Sequence, residues 1–244
     1  MVVHEPTIKK PTNPILENGS DKRWYENGKL KSETIFPKYS KIYFENGTLG
    51  FEIEGILCYS DQNKIMLQNG FIKQYYENGQ IKVYAEYKEQ KKISRKMWYE
   101  NGNLQTEFVF PKYEKYYYEN GTPSIELEGT LYYDDQDDIQ VQDGFRKDYY
   151  DNKKLASHKI YKERRLVGKT EWHEDGNTSI SVELPNHYKE FYDNGKIKVE
   201  ATGTIVEENE SFKIKDGIYK EYSPSGEVTY SATYKDFQII SEKK

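Results

Sequence analysis

The sequence predicts an all-β protein, an elongated meander of stacked β-hairpin repeats, and three observations predict it. Asn-Gly occurs eight times and Asp-Gly three times in 244 residues. These dipeptides and three tryptophans recur with one long period. Between them apolar and polar residues alternate, as the two faces of a half-buried strand require.

The turns come first. Asn and Gly tolerate positive φ, so Asn-Gly between alternating segments predicts a hairpin closed by a type I′ turn. Trp24, Trp98 and Trp172 lie 74 residues apart, as do Gly28, Gly102 and Gly176, and Pro37, Pro111 and Pro185. A one-residue deletion then brings Gly217 into register with Gly70 and Gly144. The chain therefore reads as an N-terminal extended arm at 1–20 and three superrepeats at 21–97, 98–171 and 172–244. Together the superrepeats form one continuous repeat domain of about nine hairpin units. Because ENGSDKRWYENG (17–28) resembles QNGFIKQYYENG (68–79), the arm runs into a degenerate first hairpin. The turns of the first superrepeat, Gly28, Gly47 and Gly79, advance by 19 and 32 residues, and 23 more reach Gly102. The longer step predicts an extra turn segment at 65–76.

The strands follow. Leu49, Phe51, Ile53, Gly55 and Leu57 share one face of the first superrepeat. Pro123, Ile125, Leu127, Gly129 and Leu131 are their equivalents in the second, and Ile197, Val199, Ala201, Gly203 and Ile205 in the third. The glycine recurring on this inward face marks a close approach of backbone or aromatic ring. The lysine-rich stretches 88–97 and 162–171 read as strand–loop–strand.

Composition excludes several classes. Net charge is −5, which argues against a general nucleic-acid binder. One cysteine, Cys58, excludes an intrachain disulfide framework. No run of 18 apolar residues is present, so no membrane-spanning helix is expected. The opening MVVHEPTIKKPTNP lacks the apolar core of a signal peptide, so the chain reads as cytoplasmic or as the mature form of an exported bacterial protein.

Chemical motifs give little. Gly168-Lys169-Thr170 ends like a phosphate-binding loop, but Glu163 stands where its first glycine belongs. The acidic stretch Asp134–Asp138 lacks the ligand spacing of a calcium loop and reads as a solvated charge cluster. His4, His158, His173 and His187 are scattered, without metal-site spacing. Glu26, Glu45, Glu77, Glu100 and Glu119 recur beside turns, which points to hairpin construction rather than acid–base catalysis. The Asn-x-Ser/Thr sequons at Asn46 and Asn120 overlap turns and read as turns. No catalytic, cofactor or metal site is expected, and the chain is not expected to be an enzyme.

Tyrosine is the conspicuous residue, with 24 copies. Candidate partner-binding aromatics cluster beside the turns: Trp24, Tyr25, Tyr75, Tyr76, Trp98, Tyr99, Tyr117, Tyr118, Tyr149, Tyr150, Trp172 and Tyr192. Neighbours on a strand face opposite ways, so one ring of each pair packs and the other lies open to a protein partner or a sugar.

The repeated core stands as WYENGKLKSE (24–33), YYENGQIKVY (75–84), WYENGNLQTE (98–107) and FYDNGKIKVE (191–200). It resembles the bacterial variant of the MORN repeat found in the YwqK family of antitoxin-like proteins. The resemblance covers the chain from about residue 20 onward. It implies a non-catalytic protein-binding scaffold, antitoxin- or immunity-like, that occludes a protein partner, with a basic toxin as the partner that suits an acidic chain. The alternative is an exported or cell-surface repeat protein for adhesion or glycan contact. Lys153 and the SPSG turn (223–226) depart from the pattern.

Overall fold

A computed structural model describes residues 19–59, 65–136, 138–208 and 211–244, so most of the expected arm lies outside the described residues. Among these residues there are nineteen strands and no helix. Two contact-dense units form. Unit one, the described residues up to 110 with 119–121, holds β1 (Ser20–Trp24), β2 (Leu30–Ile35), β3 (Tyr39–Tyr43), β4 (Leu49–Tyr59), β5 (Ile65–Tyr75), β6 (Ile81–Lys88), β7 (Lys91–Trp98) and β8 (Leu104–Val109). Unit two, residues 111–118 and 122–244, opens with β9 (Tyr113–Tyr117), β10 (Pro123–Tyr133), β11 (Ile139–Tyr149), β12 (Leu155–Lys162) and β13 (Arg165–Trp172). It continues through β14 (Thr178–Glu183), β15 (His187–Phe191), β16 (Ile197–Glu208), β17 (Ser211–Tyr222), β18 (Val228–Lys235) and β19 (Gln238–Lys243). Within each unit every strand pairs antiparallel with its chain neighbours, which is a meander.

The alternation read from the sequence sets the faces. Phe51, Ile53 and Leu57 are buried in unit one; Leu127, Leu131, Val199, Ala201 and Ile205 are buried in unit two. Phe51, Ile53, Leu57, Leu67 and Ile72 form one core cluster, and Leu127, Leu131 and Val141 another. Each such side chain contributes about 1.5–3 kcal/mol by leaving water. On the opposite face lysine meets glutamate directly across strands. Lys22 lies 2.8 Å from Glu33, Lys41 3.0 Å from Glu52, Lys96 2.9 Å from Glu107 and Lys189 3.2 Å from Glu200. These pairs fix register more than they add stability, because surface ion pairs contribute about 0–1 kcal/mol.

Two features of the turns differ from the sequence expectation. The Asn-Gly rim turns are not type I′. In Tyr25–Lys29 the Gly28 amide donates to the Tyr25 carbonyl (3.0 Å) and the Tyr25 amide to the Lys29 carbonyl (2.9 Å). Gly28 has φ 81°, whereas Glu26 and Asn27 keep negative φ. This is a type I turn followed by a left-handed glycine bulge, the three-residue hairpin loop. It needs one left-handed residue, and a single lysine suffices at the equivalent position: Lys153 has φ 72°. The Asn27 side chain reinforces the loop by accepting from the Lys29 amide at 3.0 Å. Ser223–Gly226 closes in the same way, its Gly226 amide donating to the Ser223 carbonyl at 2.8 Å.

Nor does the segment 65–76 add a turn; it is the long strand β5. Asn69-Gly70, Asp143-Gly144 and Asp216-Gly217 sit inside β5, β11 and β17, where each glycine faces another: Gly55 opposite Gly70, Gly129 opposite Gly144, Gly203 opposite Gly217. A Cβ on Gly55 would stand 2.0 Å from the Asn69 carbonyl oxygen, and Gly55 and Gly70 both have φ 138°. The close backbone approach expected at the inward glycine is therefore glycine against glycine. The preceding Asx residue has another task. Asn69, Asp143 and Asp216 accept from the amides of Glu89, Glu163 and Asp236 at 2.9, 2.8 and 3.0 Å. These bonds hold the true type I′ turns, Glu89-Gln90, Glu163-Arg164 and Asp236-Phe237, all six residues at positive φ without a glycine. The strand–loop–strand reading of 88–97 and 162–171 resolves into these two-residue turns.

Candidate partner-binding surface

The rim turns carry the aromatic residues singled out above. In each unit the last strand residue before a rim turn is aromatic, and most turns begin on a second aromatic. The second one reaches sideways to the neighbouring hairpin. Tyr25 donates its hydroxyl to the Tyr43 carbonyl (2.6 Å) and Tyr76 to the Trp98 carbonyl (2.8 Å) in unit one. In unit two Tyr118 donates to the Tyr149 carbonyl (2.8 Å), Tyr150 to Trp172 (2.7 Å) and Tyr192 to Tyr222 (2.7 Å). Each bond satisfies a carbonyl at the point where the ladder ends. Tyr43 and Tyr222 belong to this row and were not among the residues singled out.

Polar side chains tie the same turns together. The Asn27, Asn46 and Asn101 amides donate to the carbonyls of Glu45 (3.4 Å), Glu77 (3.3 Å) and Glu119 (3.1 Å) in the next turn. The Lys29, Lys154 and Lys196 ammonium groups do likewise to Asn46 (2.8 Å), Asp175 (2.7 Å) and Ser225 (3.0 Å). Trp24 is 58% exposed; the other eleven singled-out aromatics are half-buried.

The aromatic that ends the strand turns instead to the polar face. Tyr75 donates to Glu52 (3.4 Å), Tyr149 to Glu126 (2.8 Å) and Tyr222 to Glu200 (3.1 Å). Adjacent rings thus diverge, as the pleat demands. Each of these glutamates also faces two lysines in register: Lys41 and Lys73 at Glu52, Lys115 and Lys147 at Glu126, Lys189 and Lys220 at Glu200. The result is a Tyr–Glu–Lys–Lys group repeated three times. Its arithmetic, 52, 126 and 200, was present in the sequence, but carboxylates are so common here that it did not stand out. Burial and the Glu126 carboxylate push the Tyr149 hydroxyl up to about 12. At Glu200 burial favours the neutral acid, but bonds from Lys189 and Tyr222 outweigh it and hold the carboxyl below its usual range. Lys73 and Lys147 also sit 4.4 and 4.6 Å from the Phe71 and Phe145 ring centres, close enough for cation–π attraction.

The remaining motifs are structural. Asp134 accepts from the Gln136 and Asp138 amides, both at 2.9 Å, and these bonds hold its carboxyl below the ordinary range. It caps its own loop; Asp137 lies outside the described residues. Gly168, Lys169 and Thr170 lie within β13 rather than in a loop, and Lys169 pairs with Glu171 at 2.7 Å. Among the described residues no group of three or more His, Cys, Asp or Glu could hold a metal ion.

Stacked antiparallel hairpins joined by a repeating rim turn define a β-hairpin repeat protein. More particularly, residues 17–36, 69–89, 93–110, 185–203 and 215–236 match the family described as MORN repeat variant. No curated protein matches the chain. Among solved structures, TcdB2-TccC3-TEV is 12% identical over 91% of this chain and 14% of that one, with a TM-score of 0.18. TcdB2-TccC3 is 10% identical over 88% of this chain and 14% of that one, TM-score 0.17. The Photorhabdus luminescens Tc holotoxin pore is 10% identical over 88% and 15%, TM-score 0.18. The chain spans only these 14–15% of the solved chains it matches, and at such scores the likeness carries nothing about its role.

Proposed function

We propose that the chain is a non-catalytic protein-binding scaffold that works by covering its partner's surface, in the manner of an antitoxin or immunity protein. The observation that carries this reading is the aromatic rim row. Its rings are spaced by the hairpin repeat and held by hydroxyl-to-carbonyl bonds, so little side-chain entropy remains to be lost when a partner docks. Aromatic side chains with a fixed polar anchor are favoured at the centres of protein interfaces. The net charge of −5 favours a basic partner through electrostatic steering.

Affinity capture of the tagged chain from lysate and envelope fractions of its source, read by mass spectrometry, tests the proposal. One stoichiometric protein partner is expected, with retention weakened by Trp24→Ala, a change at an exposed ring. An association rate that falls with salt supports a basic partner, and a rate indifferent to salt removes that part. Retention on cell-surface material without a protein partner overturns the occluding scaffold in favour of adhesion.

A further inference from the structure

The superrepeats agree at their turns and polar faces and diverge at one row of the inward face. In unit one this row runs Ile53, Ile72, Ala85 and Arg95 across β4 to β7. The equivalent row of unit two runs Leu127, Arg146, Lys159 and Lys169 across β10 to β13. Three cations thus stand side by side on three neighbouring strands, although like charges directly opposite each other destabilise a sheet. Two are compensated: Arg146 by Asp148 at 2.8 Å and Lys169 by Glu171 at 2.7 Å. Lys159, between them and half-buried, makes no side-chain hydrogen bond or ion pair with any described residue; its charge acts only at longer range, helping to hold the Asp148 carboxyl low. A position that breaks local consistency with so little internal compensation points to function rather than folding.

Lys159 and Lys169 open onto a cleft of about 910 Å³ within unit two. Arg165 lines it too, exposed and without an ion pair among the described residues. Leu184 and Phe212 supply apolar wall over the buried Ile205, and Glu171 and Glu207 the acids beside the cations. A bare inorganic anion would use the cations and leave that wall unoccupied. A ligand that carries carboxylates and apolar groups together uses both.

We propose that this cleft binds an acidic peptide segment of the partner, its carboxylates at Lys159, Lys169 and Arg165 and its apolar side chains on Leu184 and Phe212. The proposal rests on the protein-binding reading and assigns one part of the partner's chemistry. It gives the acidic scaffold a cationic seat, so a basic partner would be gripped at this point by an acidic stretch of its own.

Fluorescence anisotropy with a labelled octapeptide of alternating Glu and Leu tests it, against the same peptide with Gln for Glu. The acidic peptide should bind at least about tenfold tighter, and the double variant Lys159→Gln, Arg165→Gln should lose at least about tenfold of that affinity. Lys159→Glu alone should weaken it further. Neither side chain makes a hydrogen bond or ion pair with a described residue, so the melting temperature should not fall, and it serves as the folding control. Equal affinity for the two peptides, or an unchanged affinity in the double variant, overturns the cleft. Capture of the protein partner at undiminished strength by the double variant also overturns the cleft while leaving the scaffold reading intact. A wild-type chain that captures no protein overturns the scaffold reading, and the peptide titration then judges the cleft by itself.

Discussion

Unit one fills inward positions 53, 72 and 85 with Ile, Ile and Ala, whereas unit two fills the equivalents 127, 146 and 159 with Leu, Arg and Lys. Ile72 is 5% exposed in a closed apolar cluster, while Arg146 is held in an ion pair with Asp148, which also accepts from Ser157 at 2.6 Å. The strand register is the same in both. What the two units share is the glycine pair, the rim turn and the Asx-held type I′ turn. Those devices carry the architecture, and the inward face is therefore free to be apolar in one place and charged in another.

The sharpest test is whether the shared devices matter equally in both units. Gly55→Ala and Gly129→Ala each push a Cβ to 2.0 Å from a carbonyl oxygen. Each should cost more than about 4 kcal/mol in urea unfolding. A large cost in one and a small cost in the other would break the comparison. Next, Ile72→Ala should cost about 2–4 kcal/mol, as loss of a buried aliphatic side chain does. Arg146→Ala, at a partly exposed ion pair, should cost only about 1 kcal/mol. Equal losses would mean that the charged row is as structural as the apolar one.

Acid should separate the units as well. Burial raises the Asp148 carboxyl, but bonds from Arg146 and Ser157 outweigh this and hold it below the ordinary range. The unfolded carboxyl then takes up its proton first as pH falls. The stability this group adds is fully present above about pH 4 and is lost as pH drops through the lower folded value. Asp148→Asn should flatten the acid limb of a stability–pH profile, whereas Gln74→Ala at the equivalent uncharged position of unit one should leave its slope unchanged. The smallest effect is expected at Lys159→Met, which removes a like-charge opposition and should raise stability by about 0.2–1 kcal/mol. A loss there would show that Lys159 has a folding role.

Strand faces and the positions of the rim turns were legible in the sequence, because period-two alternation and Asx-Gly chemistry act locally. Asn69-Gly70 and its equivalents were misread because the same dipeptide serves a turn and a mid-strand glycine pair, and only the facing strand distinguishes them. Glu89-Gln90 carries no glycine, and its left-handed backbone is held by the Asn69 side chain from twenty residues away, which no local pattern encodes. For the candidate surface, the aromatic positions were readable but their hydrogen-bond roles were not, since those depend on which carbonyl the next hairpin presents. The Arg146–Lys159–Lys169 row needs the register of β11, β12 and β13 before its residues become neighbours.

The rim turns also set how the molecule ages. A glycine after asparagine leaves the backbone nitrogen free to attack the side-chain amide, so Asn-Gly deamidates readily, and these turns are exposed. Conversion of Asn27 or Asn46 to aspartate leaves an oxygen to accept within its own loop. It removes the N–H that reaches the Glu45 or Glu77 carbonyl, and sets a new negative charge against that oxygen. Asp175 already occupies this slot in the turn 173–177, where the bridge to Asp193 is made by the neighbouring Asn177 at 3.1 Å. Prolonged storage should therefore loosen hairpins from one another at the turns 25–29 and 44–48 and spare the turn 173–177, which already carries aspartate.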